Sequence, residues 1–290
     1  MNVKLLIDAK ATLGEGPIWD YDKKVLYWID IMEKEIFKYE PESETTQKVK
    51  LDQYIGSMAL RENGGFILAL QNGLHFYDWD SALLEKLTDP ESHLVDNRFN
   101  DGKCDAAGRF WAGTMHLKGE AKKGALYVVD ENISVSKQIE NVSISNGLAW
   151  SPDNRFMYFI DTPTRQVVQY KYDIRTGKIE QPQVVVTFSD NVGFPDGMTI
   201  DQEGMLWIAH WGGSGISRWN PLTGKQLDFI PVPAVNVTSC TFGGNDLNNI
   251  YITTARTDTS EKQLEKYPHA GGIFTLQTNV KGSINYKFNG

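Results

Sequence analysis

The chain of 290 residues repeats one short pattern six times. A polar or small residue leads into a short apolar strand, a tight turn and a second, aromatic strand, as in residues 194–209, and the same order returns around residues 18–29 and 148–160. A repeat of about 40 to 50 residues is typical of an array of small sheets. In the aligned copies, the residues that open the first strand are Glu15, Gly56, Asn100, Asn146, Asp196 and Thr238.

Each copy predicts four strands. Runs of Val, Ile, Tyr, Phe and Trp are separated by Gly, Pro, Asn and Asp, which is typical of strands and hairpins. The fifth copy, for example, predicts strands at residues 198–200, 206–209, 215–219 and 226–232. Six such units indicate an all-β fold, a six-bladed β-propeller with four antiparallel strands per blade around a central channel and no helix longer than about two turns. Because no linker divides the chain, we expect residues 1–290 to form a single propeller domain.

Closure of the ring is predicted to use one end of the chain. A strand from that end completes a blade that is built mostly from the other end, and this removes an exposed sheet edge. Residues 3–7 precede the first copy and residues 284–288 follow the sixth. Either segment could serve as the outer strand.

The composition narrows the choice of partners. The net charge of −8 and the sequence pI of about 5.2 argue against nucleic acid and against an anionic membrane surface as partners, because both of these partners select for basic patches. An acidic protein is instead suited to bind a cation. No segment has the roughly 20 apolar residues of a membrane span, and the apolar run at the N-terminus is too short for a signal peptide. We therefore expect a cytoplasmic protein without an obligate protein partner. Its two cysteines, Cys104 and Cys240, are expected to be buried reduced thiols rather than a disulfide.

The six opening residues form a ring if the first strand of each blade lines the channel. This ring holds two carboxylates, two amides, a hydroxyl and a glycine, and no Lys or Arg. Two carboxylates crowded with amide oxygens are unfavourable without a cation, so a divalent metal ion is a natural partner. Oxygen ligands suit Ca²⁺, Mg²⁺ or Mn²⁺, and three protein ligands with open positions could also hold Zn²⁺. The alternative is that Asp, Asn and Gly before a strand are ordinary turn formers.

A set of motifs, in a fixed order over nearly the whole chain, resembles a known family. The motifs are residues 13–19 (LGEGPIW), 97–103 (NRFNDGK), 113–115 (GTM), 145–148 (SNGL), 195–198 (PDGM) and 271–274 (GGIF). Together they resemble the gluconolactonase / senescence marker protein / luciferin-regenerating enzyme family. The resemblance implies a six-bladed propeller and a metal-dependent sugar lactonase. It also implies Glu15, Asn146 and Asp196 as metal ligands, and Arg98 and Asn100 as polar residues that face the substrate.

The reaction that the resemblance implies is hydrolysis of an aldonolactone, such as glucono-lactone, to the aldonic acid. One divalent ion, with Ca²⁺ preferred and Zn²⁺, Mn²⁺ or Mg²⁺ as alternatives, would polarise the lactone carbonyl and activate the attacking water. Asp196 would act as general base in addition to binding the metal. Arg98 can donate bidentate hydrogen bonds to substrate hydroxyls or to the carboxylate product, and Asn100 suits a sugar hydroxyl.

One position departs from the family pattern. A member of the family carries an acidic substrate contact shortly after the Gly-Thr-Met motif, and an ungapped match puts Lys118 there. Glu120 lies two residues further on and is our candidate for this substrate contact. The alternative is that Glu120 is simply one charge of a polar loop, residues 116–124.

Other polar and aromatic residues have simpler explanations. His116 and His210 follow second strands, but the five histidines show no ligand spacing, and we expect structural or surface roles for them. Most tryptophans are expected to pack within blades, with Trp211 near the channel mouth as the candidate for stacking on a sugar. Two further functions stay open: a calcium-binding regulatory protein without physiological turnover, and a propeller that serves as a platform for protein interactions.

Overall fold

Six four-stranded antiparallel sheets make up the protein in the computed structural model, which describes residues 2–290. Each sheet is one blade, and in blades 1 to 5 the strands follow one another in chain order from the channel outwards. Alternating short apolar runs and tight turns produce these hairpins, as the repeats predicted. The prediction of an all-β six-bladed β-propeller is confirmed.

The strands of the six blades are bounded as follows. Blade 6 contains β1 (Lys4–Ile7), β22 (Asn236–Gly243), β23 (Asn249–Ala255) and β24 (Ile273–Gln277). Blade 1 contains β2 (Gly14–Asp20), β3 (Val25–Asp30), β4 (Glu35–Glu40) and β5 (Thr45–Lys50). Blade 2 contains β6 (Ile55–Leu60), β7 (Phe66–Leu70), β8 (Gly73–Tyr77) and β9 (Leu84–Thr88). Blade 3 contains β10 (Asn97–Cys104), β11 (Phe110–His116), β12 (Gly124–Val129) and β13 (Val135–Val142). Blade 4 contains β14 (Ser145–Trp150), β15 (Phe156–Asp161), β16 (Gln166–Asp173) and β17 (Lys178–Thr187). Blade 5 contains β18 (Phe194–Ile200), β19 (Leu206–Trp211), β20 (Gly215–Asn220) and β21 (Lys225–Pro231).

The inner strands β2, β6, β10, β14, β18 and β22 enclose the channel, and each contacts the inner strands of both neighbouring blades. We call the end of the channel at which these strands start the upper end, and the other the lower end. Gly56 shows how closely the strands approach, because a Cβ atom there would lie 2.3 Å from the carbonyl oxygen of Phe99 in the next blade. No side chain fits at this position, which explains the single glycine in the ring.

Every inner strand is interrupted near its upper end by an irregularity of the β-bulge type. Pairing with the second strand skips between Glu15 and Ile18, Ile55 and Ser57, Phe99 and Gly102, Asn146 and Leu148, Pro195 and Met198, and Val237 and Ser239. All six ring residues lie at or within these skips. The expectation that they open the strands is therefore wrong: they lie inside the strands, where a bulge redirects a side chain out of the regular pleat.

The N-terminal strand closes the ring. Strand β1 pairs antiparallel with β24, so it is the outer strand of blade 6 and covers what would be an exposed edge. Of the two segments predicted as candidates, the N-terminal one is thus used. Residues 284–288 form no strand of a blade.

The C-terminal tail, residues 278–290, instead crosses the lower end of the channel. Asn285 Nδ2 donates to the carbonyl oxygen of Trp19 (3.2 Å), and the backbone N–H of Phe288 donates to the carbonyl oxygen of Leu60 (2.8 Å). Residues 283–286 face two small cavities, of about 30 and 50 Å³, whose walls also include inner-strand residues of all six blades. Such cavities have room for a few water molecules at most.

Several smaller predictions are confirmed by the packing. Cys104 and Cys240 are buried and free. Five tryptophans that were assigned to blade packing are at most 5% exposed, namely Trp19, Trp28, Trp111, Trp150 and Trp207. The single α-helix within residues 2–290 is α1 (Glu261–Lys266), and in that part of the chain no helix is long and apolar enough to cross a membrane.

Candidate active site at the upper end of the channel

The three predicted metal ligands lie on three different inner strands. Glu15 is on β2, Asn146 is on β14 and Asp196 is on β18, and all three side chains are buried. Burial raises the pKa of Asp196 well above its usual value, and the negative charge of Glu15 raises it further. The fold therefore brings two carboxylates from distant parts of the sequence close enough to repel each other.

Glu15 has the same electrostatic problem. Burial raises the pKa of Glu15 to about 8, and the charge of Asp101 adds to the shift, although Arg98 and the backbone N–H of Gly16 oppose it. Burial also raises the pKa of Asp101. Ionisation of all of these crowded carboxylates is energetically unfavourable unless a cation binds between them.

Asp101 and Lys103 also belong to the channel, although the sequence analysis gave them no role. Both follow Asn100 on β10. Lys103 Nζ donates to the carbonyl oxygen of Met198 on β18 (2.7 Å), and burial lowers the pKa of Lys103 while the charge of Asp101 opposes this. The skip in β10 leaves Asn100 and Asp101 both outside the regular pairing, whereas the sequence alignment took only one residue per copy and therefore missed Asp101.

The amide of Asn146 has one satisfied end and one unsatisfied end. Its Nδ2 donates to Thr162 Oγ1 (2.9 Å), whereas its buried Oδ1 has no hydrogen-bond partner among residues 2–290. A buried acceptor without a partner is costly, and a metal ion would satisfy it. Asn146 Oδ1 and the carboxylates of Glu15 and Asp196 are thus a donor set that fits a divalent cation. Within residues 2–290, no group of three or more His, Cys, Asp and Glu side chains is arranged to hold a metal ion. Asn146 would therefore be needed to complete the donor set.

Arg98 and Asn100 lie together on β10, as the motif predicted. Arg98 Nη1 donates to Asn100 Oδ1 (2.8 Å) and to the carbonyl oxygen of Phe99 (2.8 Å), and Asn100 Nδ2 donates to the carbonyl oxygen of Ser145 (2.8 Å). Burial lowers the pKa of Arg98 to about 10, and within residues 2–290 its guanidinium forms no salt bridge. A buried guanidinium with unused N–H groups is a ready donor to a polar or anionic ligand.

Glu120 is placed differently from the other predicted site residues. It lies in the loop between β11 and β12, where Lys118 and Glu120 are both exposed, and it has no hydrogen bond or ion pair to the described residues. The loop leaves the upper end of blade 3, the blade that also carries Arg98. Whether Glu120 contacts the substrate stays a prediction.

The two histidines have different surroundings. His210 is buried within blade 5, where Nδ1 lies 2.7 Å from the carbonyl oxygen of Val192 and Nε2 lies 2.6 Å from Ser217 Oγ. This confirms a structural role for His210. His116 is also buried, and the backbone N–H of Lys118 donates to its Nδ1 (3.3 Å).

Trp211, the predicted sugar-stacking residue, lies in blade 5. Trp211 is half-buried at the upper end of β19, opposite Phe194 in the sheet register, and its role in sugar stacking stays a prediction.

A cavity of about 740 Å³ lies at the other end of the propeller, where Lys23, Trp79 and Tyr251 contribute to its wall. It contains none of the predicted site residues, so the candidate site is at the upper end alone.

The metal-free protein is expected to lose stability as the pH rises. Because the folded state raises the pKa of Glu15 from its ordinary 4.5 to about 8, the native protein binds more protons than the unfolded chain between these values. Stability from this group is complete below about pH 4.5 and is lost as the pH approaches 8, by at most about 1.4 kcal/mol per pH unit for each proton. The measurement is the melting temperature in a chelator between pH 5 and 8.

Divalent metal should remove or reverse this pH dependence, because ionised carboxylates bind metal more strongly as the pH rises. Glu15→Gln is the matched control and should flatten the slope measured in chelator. An identical pH dependence in the wild type and in Glu15→Gln would contradict the prediction.

Six four-stranded blades around a channel that holds buried carboxylate, amide and guanidinium groups define a six-bladed β-propeller with a polar channel. The chain belongs to the SMP-30/gluconolactonase/LRE-like family, because the model of the SMP-30/Gluconolactonase/LRE-like region matches residues 13–256. The family that the motifs indicated is thereby confirmed.

Individual relatives cover nearly the whole chain. A Bacillus subtilis protein named "Putative sugar lactone lactonase YvrE" is 41% identical over 97% of this chain and 97% of its own length. Regucalcin from Xenopus laevis is 34% identical over 100% of this chain and 99% of its own. The crystal structure of a calcium-binding protein, regucalcin, from Agrobacterium tumefaciens superposes with a TM-score of 0.95 at 28% identity, and covers 99% of this chain and 97% of that one.

Proposed function

We propose that this protein hydrolyses sugar lactones, in particular aldonolactones such as glucono-lactone, with the help of one divalent cation bound by Glu15, Asn146 and Asp196. The observation that carries the proposal is the buried oxygen donor set, in which two carboxylates repel each other and Asn146 Oδ1 has no hydrogen-bond partner among the described residues 2–290. Similarity to a protein named for a sugar lactone lactonase supports the choice of substrate class.

The bound cation and the side chains of the protein would have different roles in the reaction. When bound, a divalent cation would polarise the lactone carbonyl and stabilise the negative charge that develops on its oxygen. Asp196 takes a proton from the water whose oxygen attacks the carbonyl carbon. Burial and the charge of Glu15 raise the pKa of Asp196 in the metal-free protein, and a bound cation would favour the ionised carboxylate, which can accept the proton. As the bond from that carbon to the ring oxygen breaks, the proton passes to the leaving oxygen, and the product is an open hydroxy acid.

The side chains of β10 hold the substrate. Arg98 donates to substrate hydroxyls or to the carboxylate of the product through the N–H groups that Asn100 and Phe99 leave free. Asn100 orients Arg98 and retains a second amide hydrogen for a sugar hydroxyl. Glu120, from the exposed loop, would contact the outer part of the substrate.

Calcium is the preferred metal of the proposal, and Zn²⁺, Mn²⁺ and Mg²⁺ are alternatives. All three donors are oxygen atoms, which suits hard cations. A structural relative named as a calcium-binding protein supports the same choice.

The experiment is a pH-stat assay of a panel of aldonolactones with metal-stripped protein reconstituted with each divalent ion in turn. Hydrolysis releases a hydroxy acid, so base uptake reports turnover directly. We expect turnover only after metal is restored, and an aldonolactone as the best substrate. Full activity in the stripped protein would reject the metal, and inactivity on the whole panel with every ion would reject the lactonase.

Arg98→Lys is expected to raise the KM for an aldonolactone roughly tenfold and to change kcat less. Lysine keeps the charge but loses the planar fork, so one charge-assisted hydrogen bond is lost in the ground state and in the transition state alike. Steady-state kinetics at saturating metal measure the effect. The control is Arg155→Lys, at an exposed arginine that pairs with Asp153 in a lower turn of blade 4. Equal KM values for Arg98→Lys and the wild type would remove Arg98 from the substrate site.

A second candidate function is a calcium-binding regulatory protein without physiological turnover. The oxygen-only donor set favours it as much as it favours an enzyme, and several relatives, among them those from Xenopus laevis and Agrobacterium tumefaciens, bear the name regucalcin. The two functions differ at Arg98 and Asn100, which a calcium buffer does not need. Tight calcium binding without hydrolysis of any lactone in the panel would select this second function.

A further inference from the structure

Thr162 contacts one proposed ligand, Asn146, and the residue that precedes another, Pro195, although neither the motifs nor the ring alignment includes Thr162. It begins the 3₁₀ turn Thr162–Thr164 directly after β15 and is buried. The backbone fixes its place: its N–H donates to the carbonyl oxygen of Ile144 (3.1 Å), and Asp161 beside it accepts from the backbone N–H of Ile144 (2.9 Å). Thr162 is therefore locked against the start of β14.

The single proton of the Thr162 hydroxyl is already used. Oγ1 donates to the carbonyl oxygen of Pro195 (2.9 Å), and a carbonyl can only accept. Oγ1 must then act as acceptor towards Asn146, so the atom of Asn146 that faces it, 2.9 Å away, has to be the donor Nδ2. The other end of the amide, Oδ1, is consequently turned away from Thr162. The orientation of the amide follows from the hydrogen-bond chain.

This hydroxyl links a proposed ligand of one blade to the backbone beside a proposed ligand of the next blade. Asn146 is on β14, and Pro195 directly precedes Asp196 on β18. This chain of hydrogen bonds opposes the rotated orientation of the Asn146 amide. After rotation by half a turn, the amide would present Nδ2 to the cation, and the partly positive NH₂ group would repel the cation. Contacts of this kind, one step removed from the ligands, orient a donor set before the metal arrives.

We propose that Thr162 is a positioning residue that fixes Asn146 Oδ1 as a ligand atom, holds the carbonyl group beside Asp196 in place, and thereby sets the metal affinity. The inference rests on the proposed metal site. It assigns Thr162 no contact with the metal or with the substrate.

The test compares variants with and without the hydroxyl. Thr162→Val keeps the shape and removes the hydroxyl, Thr162→Ser keeps the hydroxyl, and Thr162→Ala is a second variant without a hydroxyl in case valine does not fold. Thr164→Val is the matched control, because Thr164 is exposed and its hydroxyl donates only to the carbonyl oxygen of Asp161. Calorimetric titration of metal-stripped protein with Ca²⁺ and with Mn²⁺ gives the Kd values, and melting curves in chelator show that each variant is folded.

We expect Thr162→Val to raise the Kd for metal by about 10- to 100-fold, and Thr162→Ser and Thr164→Val to stay near the wild type. A second comparison separates positioning from general damage. In an Asn146→Asp background both ends of the side chain are oxygen atoms, so orientation no longer matters and Thr162→Val should cost little additional affinity.

Two outcomes would overturn the proposal. Equal metal affinity of folded Thr162→Val and wild type would overturn it alone and leave the proposed function standing. Absence of metal binding by the wild type would overturn the metal site of the proposed function and this inference together.

Discussion

Asp196→Asn is expected to hold kcat at least about 100-fold below that of the wild type, even at saturating metal. The substitution keeps an oxygen ligand and nearly the same volume, but it removes the charge and the basicity. In the structure, Asp196 is buried and its pKa is raised by burial and by Glu15 in the absence of metal, whereas a bound cation would favour the ionised form that can accept a proton during turnover. If Asp196 only held the metal, a higher metal concentration would restore most of the rate.

The measurement is a pH–rate profile of Asp196→Asn at saturating metal. If the water ionises without a protein base, the loss should be modest and should shrink as the pH rises. Asp101→Asn is the matched control, because it removes another buried carboxylate of the channel that the proposal does not use as ligand or base, and we expect a smaller loss of kcat. Turnover of Asp196→Asn near the wild-type value would leave Asp196 a ligand and make Glu15 the next candidate base.

Phe288→Ala is expected to lower the free energy of unfolding by about 3–5 kcal/mol. The Phe288 ring is fully buried against side chains of blades 2 and 3, and the backbone around it is also bonded, since Glu62 N–H donates to the Phe288 carbonyl oxygen (2.9 Å). Removing the ring leaves a cavity in the cluster of apolar side chains that blades 2 and 3 share. Urea denaturation monitored by tryptophan fluorescence measures the change.

Ile284→Ala provides the control for Phe288→Ala. It is an apolar residue of the same tail that is 48% exposed, and substitution there should change stability by no more than about 0.5 kcal/mol. Similar denaturation curves for the two variants would mean that the tail is not part of the folded core.

The sequence was sufficient for the fold and for the ring of residues that contains the candidate site, because both repeat with the blades. The alignment of the copies placed Glu15, Asn146 and Asp196 in that ring, and the family resemblance selected these three as the predicted metal ligands. The bulges were not foreseen, since a skip in strand pairing depends on the neighbouring strand and leaves no clear trace in a single segment. Asp101 was missed for this reason.

The roles of the two chain ends could not be predicted from the sequence for a different reason. Residues 284–288 alternate polar and apolar side chains like a strand, yet Asn285, Phe288 and Asn289 bond to three different blades. Which end completes blade 6 depends on edges that exist only in the folded ring. Likewise, the contact of Thr162 with Asn146 and Pro195 joins residues 16 and 33 positions away, and no local pattern encodes it.

The tail across the lower end leaves the channel with a single usable opening. The spaces beside residues 283–286, of about 30 and 50 Å³, do not admit a sugar ring, so in the proposed reaction a lactone would have to enter, and its acid would have to leave, at the upper end. Under the proposed function, substrate entry and product release would share one opening, and the hydroxy acid would have to pass Arg98 before the next lactone could bind. The proposal therefore places selection among lactones at this opening, next to the exposed loop that carries Glu120.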